Sequence, residues 1–210
     1  MWIKICGITS VDDALAAVDA GADAIGVNLV PTSRRAVTPD VAAEIARRVS
    51  ERVRVVAVVA DASVQALGVL RRELGIDWLQ LHGNEPPEQL FALLPNAYKA
   101  IAIESPADVA LAAGYAGELL LVDTKVPGAL GGTGTSFDWT LVGELAKSRK
   151  LILAGGLAPD NVARAISVAG PYGVDVASGV ELPEDARRKD AARMRAFVEN
   201  ARRASREPST

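Results

Sequence analysis

KLILAGGLAPDNVARAISVAGPYGVDVASG, residues 150–179, decides the fold. A short aliphatic run, Lys150 to Ala154, ends in two glycines. An amphipathic segment follows, from Ala158 to Ala169, and Gly170 stands where a helix should stop. A second short run then ends in Ser178 and Gly179. Strand, helix and strand in this order form a right-handed βαβ unit, which requires parallel strands.

Read outward, the same unit fills the chain. Short β-branched runs recur as IKICG (3–7), AIGVNLV (24–30), VRVVAVVA (53–60), DWLQLHG (77–83), AYKAIAI (97–103) and ELLLVDT (118–124). With the two runs already quoted there are eight, and amphipathic segments separate them. Ser10, Thr38, Ser63 and Ser105 can accept hydrogen bonds from orphan N–H groups at helix starts. Pro39 and Pro106 suit a first helical turn, and Gly21, Gly75 and Gly170 suit helix ends. Eight such units predict a single-domain α/β protein, a closed (β/α)8 TIM barrel over residues 1–205 with a polar tail at 206–210. An open doubly wound sheet competes, but GADAIG carries no dinucleotide fingerprint after the first strand.

Composition narrows the partners. Of 210 residues, 50% are hydrophobic and 23% charged, the balance of a globular protein. With a net charge of −3 and 4% aromatic residues, nucleic-acid binding is not expected. No segment reaches the roughly 18 apolar residues that span a bilayer, so no membrane association is expected. A single cysteine forms no internal disulfide, which fits a cytoplasmic location. A monomer or weak homodimer is expected. One His, one Cys and scattered carboxylates make no metal-ligand spacing.

In such barrels the chemistry sits at the C-terminal strand ends. Those ends offer Cys6, Asn28, His82, Asp123 and the glycines of AGG and ASG. A lone buried thiol is ordinarily core packing; its place at a strand end is what makes Cys6 a candidate. Period-two geometry then puts Lys4 one layer below Cys6, and barrel closure makes the first and eighth strands neighbours. Lys4 therefore either snorkels outward or pairs with Asp175, and in the second case its charge favours the thiolate. Gln80 and His82 share a face. His82 is either a base titrating near neutrality or a satisfied interior histidine, and the second is the expectation. Lys99 is expected in the inner polar layer rather than as a Schiff-base lysine.

The glycine turns Gly155, Gly156 and Ser178, Gly179 expose backbone N–H groups after strands seven and eight, a common phosphate position in barrels. A phosphorylated small-molecule substrate is the expected partner. Arg34 and Arg35 follow strand two in a loop that is either a solvated basic pair or a carboxylate clamp. VPGALGGTGTSFDW (126–139) is glycine-rich, as a mobile lid or a slack connection would be.

KICGIT, GADAIG, LQLHG, LLLVDTK, GGTGTSFDW, LAGGLAPDNV and VDVASGVE, in this order over residues 3–181, resemble phosphoribosylanthranilate isomerase. The resemblance implies the tryptophan-pathway step that converts N-(5-phosphoribosyl)anthranilate to the 1-deoxyribulose 5-phosphate by an Amadori rearrangement, with no metal or cofactor. By matching positions it implies Cys6 as general base, Asp123 as general acid, and Arg35 on the anthranilate carboxylate. His82 lies near substrate, and the backbones of Gly155, Gly156, Ser178 and Gly179 hold the phosphate. The chain departs from the family at Asn28 and Ala36, where aromatic residues are frequent, and Arg34 beside Arg35 leaves two candidates for the carboxylate. Unperturbed Cys and Asp titrate near 8.5 and about 3.9, so the site is expected to lower the first and raise the second. The histidine-pathway aminoaldose isomerase performs the same rearrangement but has an aspartate at the end of strand one. A non-catalytic phosphate binder on a decayed barrel is the remaining alternative.

Overall fold

A computed structural model describes residues 1–123 and 139–206. Strands and helices alternate: β1 (Trp2–Cys6), α1 (Val11–Asp19), β2 (Ala24–Asn28), α2 (Pro39–Val49), β3 (Arg54–Val59), α3 (Val64–Leu74), β4 (Trp78–Leu81) and α4 (Pro87–Leu93). Then come β5 (Ala97–Ala102), α5 (Pro106–Ala113), β6 (Leu119–Asp123), α6 (Gly143–Ser148), β7 (Lys150–Ala154), α7 (Val162–Ala169) and β8 (Gly173–Val176). A hairpin of β9 (Glu181–Leu182) and β10 (Asp185–Lys189) precedes α8 (Ala191–Ala204). β1 to β8 pair in sequence order, and β8 closes on β1 in parallel. The expected barrel is therefore the observed one.

Period two divides the strands between two cores. Ile3, Ile5, Ile25, Val27, Leu79, Leu81 and Leu120 face the helices in the large outer core. Ala24, Val56, Tyr98, Leu121 and Ile152 fill the barrel interior. The helix starts follow local chemistry: Ser10, Thr38 and Ser63 each accept an N–H from three residues on. At Ser105 the Asp108 carboxylate receives the backbone N–H. Gly75 and Gly170 end their helices in the left-handed region.

One expectation needs correcting. Lys99 does not lie in the inner polar layer. Its neighbour Tyr98 points inward instead, with its hydroxyl donating to Gln80 Oε1 at 3.1 Å. Lys99 points outward, where its buried ammonium meets Glu85 at 3.0 Å. The sixth helical segment begins as a 3-10 turn over Trp139–Val142 and is α-helical only from Gly143. The hairpin after β8 was not anticipated. The glycine-rich stretch read as a lid falls almost wholly on residues 124–138, outside the described residues.

Candidate active site

A cavity of about 750 Å³ opens at the C-terminal ends of the strands. Cys6, Asn28, Arg35, His82, Asp123, Gly155, Gly156 and Ser178 all line it. Residues far apart in sequence thus meet where the barrel puts them, and β1 and β6 present the thiol and the carboxylate from non-adjacent strands.

Beneath Cys6 lies a buried polar network. Lys4, fully enclosed, donates to Asp175 Oδ2 at 2.7 Å and to Gln80 Oε1 at 3.0 Å. The pairing follows from barrel closure, since Lys4 and Asp175 are register partners of β1 and β8. Gln80 Nε2 reaches His82 Nδ1 at 3.0 Å. Burial alone would push Lys4 down, but Asp175 and its other neighbours more than offset that, and the ammonium is held charged. Gly26 makes the arrangement possible: a Cβ there would lie 2.7 Å from Cys6 Sγ and 3.1 Å from Lys4 Nζ.

The thiol itself corrects an expectation. Lys4 does pull the Cys6 pKa down, as anticipated, but desolvation is the larger effect and the net shift is upward. At neutral pH the resting site holds a thiol, not a thiolate. His82 also differs. It is an exposed residue of the cavity wall, one position past the end of β4, rather than an interior histidine.

The two adjacent arginines separate. Arg34 is largely exposed and is not part of the cavity wall, whereas Arg35 is. Arg35 lies across Gly7, where a Cβ would come within 2.3 Å of its Cδ. Gly7 also has φ +72°, a conformation that suits glycine. Arg35 Nε donates to Glu181 Oε1, and Arg34 Nη2 donates to Glu181 Oε2 at 3.0 Å. Lys189, facing Glu181 across the hairpin, approaches Oε1 at 3.4 Å and donates to the Ala177 carbonyl at 2.9 Å. Burial pushes the Lys189 ammonium below the usual lysine range, and Glu181 opposes that shift. Arg187 adds two bonds to the strand-two loop, at the carbonyls of Arg34 and Ala36. Sequence reasoning missed Glu181 and Lys189 altogether; a glutamate two residues past the ASG turn was the only signal.

Three of the four turn residues, Gly155, Gly156 and Ser178, line the cavity. Gly155 and Gly156 have φ of 91° and 63°, and Asn161 braces their loop through the Gly156 carbonyl at 2.9 Å and the Ala158 N–H at 2.8 Å. Gly179 is not on the cavity wall. It packs against the neighbouring turn so closely that a Cβ would stand 2.0 Å from the Leu157 carbonyl oxygen. On the opposite rim, the buried Glu85 carboxylate receives the N–H groups of Asp61 and Gly83 at 2.8 and 3.0 Å. It thereby ties together two loops that line the cavity.

Among the described residues, no cluster of His, Cys, Asp and Glu is suited to a metal ion, and no helix is long and apolar enough to cross a membrane. A closed parallel barrel with a thiol, a carboxylate, a guanidinium and two glycine turns around one cavity defines a (β/α)8-barrel enzyme. The family model described as N-(5'phosphoribosyl)anthranilate (PRA) isomerase matches residues 3–200, and the chain belongs to that family of tryptophan-biosynthetic isomerases. The N-(5'-phosphoribosyl)anthranilate isomerase of Magnetococcus marinus is 44% identical over 202 residues, covering 96% of this chain and 95% of that one. Its Pseudomonas aeruginosa counterpart (strain UCBPP-PA14) is 47% identical over 203 residues, covering 95% and 94%. The crystal structure of the Thermotoga maritima enzyme superposes with a TM-score of 0.87 at 34% identity, over 96% of this chain and 98% of that one. A family structure holding reduced 1-(o-carboxyphenylamino)-1-deoxyribulose 5-phosphate gives a TM-score of 0.84 at 32% identity, over the same shares.

Proposed function

We propose that the chain converts N-(5'-phosphoribosyl)anthranilate to 1-(2-carboxyphenylamino)-1-deoxyribulose 5-phosphate by an Amadori rearrangement. The observation that carries this is the grouping of Cys6, Asp123 and Arg35 with the glycine turns of β7 and β8 on one cavity wall. Backbone N–H groups of Gly155, Gly156 and Ser178 hold the phosphate, with Gly179 packing the two turns together, and Arg35 takes the anthranilate carboxylate. His82 borders the sugar.

Two proton movements are needed. Asp123 protonates the ring oxygen, the furanose opens, and the C1′–nitrogen bond becomes a protonated Schiff base. Cys6, having first released its own proton to solvent, removes the C2′ proton as the thiolate, and the bond electrons shift toward nitrogen to give an enolamine that tautomerises to the ketone. The raised thiol pKa suits this order, because the cationic Schiff base both acidifies C2′ and favours the thiolate beside it.

Turnover is tested with purified protein and a chelator present, following loss of substrate fluorescence. Cys6→Ser and Asp123→Asn should each lower kcat by at least about a hundred-fold. Arg35→Ala should act mainly on KM. Near-normal kcat in either of the first two variants would overturn the assignment of base or acid. An inert wild-type protein would overturn the activity itself.

A further inference from the structure

Arg35 is fixed at two points and open at a third. Its stem lies on Gly7, and its Nε is bound to Glu181. Neither terminal nitrogen has a hydrogen-bond partner among the described residues, although four-fifths of the side chain is buried and it borders the cavity. A planar guanidinium bound through Nε and a fixed stem can rotate little, so its remaining edge has one direction. Glu181 is itself fixed. It is buried, carries Arg34 on its other oxygen, and sits opposite Lys189 in a hairpin that Arg187 fastens to the loop bearing both arginines.

From this we infer that Glu181 is the positioning residue that aims Arg35 at a ligand carboxylate, with Arg34 and Lys189 holding Glu181 in place. The adjacent arginines then have different tasks: Arg35 meets the ligand and Arg34 secures the residue that aims it. The inference rests on the carboxylate-binding reading of Arg35 and deepens it, by making selectivity for a carboxylated aromatic amine depend on the hairpin.

Two probes separate this from a merely structural role: reduced 1-(o-carboxyphenylamino)-1-deoxyribulose 5-phosphate, and the same compound made from aniline and so lacking the ring carboxyl. Calorimetric titration of wild type should give tighter binding of the carboxylated probe. Equal affinities there would remove the clamp reading of Arg35 itself. Glu181→Gln should weaken the carboxylated probe roughly tenfold, the size of one well-aimed charged hydrogen bond, and leave the aniline probe within about twofold. In turnover it should raise KM with kcat nearly retained. Equal weakening of both probes, or of neither, would overturn the inference while leaving the clamp intact. A variant that leaves three cations around a neutral amide is at risk of misfolding. Arg35→Ala is therefore compared with Arg35→Ala/Glu181→Gln, which removes a cation together with the anion. If Glu181 acts through Arg35, the second change adds less than about twofold for the carboxylated probe; a further tenfold loss refutes it.

Discussion

Replacing Gly26 with alanine probes the placement of the sulfur directly. Gly26 lies inside β2 with no left-handed φ, so alanine meets no backbone strain there. All of the effect comes from the added carbon, which stands 2.7 Å from Cys6 Sγ and 3.0 Å from Lys4 Cε. Unstrained heavy-atom contacts start at about 3.5 Å, so the sulfur must retreat by about 0.8 Å unless something else yields. Lys4 cannot easily yield, because its ammonium is held by two acceptors in a closed interior. Overpacking of this kind costs about 1–3 kcal/mol, which for a chain of this length lowers Tm by roughly 2–12 °C. If Cys6 is the base proposed above, a displacement near 1 Å costs on the order of a hundred-fold in rate. Gly26→Ala should therefore fold, melt several degrees early, and lose far more kcat than stability. Gly68→Ala is the control: it lies on α3 with only Arg72 Nη1 near, at 3.8 Å, and should leave kcat unchanged. Differential scanning calorimetry and steady-state fluorescence read the two quantities. A Gly26→Ala protein with kcat within threefold of wild type would refute the claim that the sulfur must occupy this position.

The raised Cys6 pKa predicts slow alkylation of the only cysteine by iodoacetamide near pH 7, with the rate climbing above the ordinary thiol range. Lys4→Met should move that climb to still higher pH, and an unchanged profile would mean that Lys4 does not act on the thiol. For stability the sign is fixed by the same shift: the folded chain holds the thiol proton more tightly than the unfolded one. This contribution is present below the unfolded thiol pKa and is lost as pH rises through the folded value. Lys99→Met should strand the buried Glu85 carboxylate with only its two N–H donors, at a cost on the order of 3 kcal/mol or a Tm lower by roughly 6–12 °C. A melting temperature within a degree or two of wild type would show that those N–H groups suffice.

What the sequence discloses, and what it withholds, follows from how many residues must agree to produce each feature. Eight short runs, their glycine stops and their serine and threonine caps are each set locally and all point to one barrel, so closure was legible. Closure in turn made β1 and β8 neighbours, and the Lys4–Asp175 pair needed nothing further. Lys99 went astray by a single residue of phase, because Tyr98 and Lys99 are both amphipathic and only their distant partners, Gln80 and Glu85, decide which turns inward. The hairpin left no hydrophobic period to read, since Asp185–Lys189 is charged at four of its five positions and mostly exposed. The sign of the Cys6 shift was hidden for another reason: it balances Lys4 and Lys189 against the depth of burial and Asp175, and depth is a property of the closed barrel rather than of any motif. The choice between Arg34 and Arg35 likewise rests on a Cβ missing from Gly7 and on a carboxylate 146 residues away. The pattern is consistent: strand ends tell which side chains reach the cavity, while the residues that set their charge and direction arrive from other loops. The side chains that reach the cavity can therefore be picked out at the strand ends, whereas the groups that aim them cannot, and in this chain substitution of Glu181 and Gly26 tests that aiming.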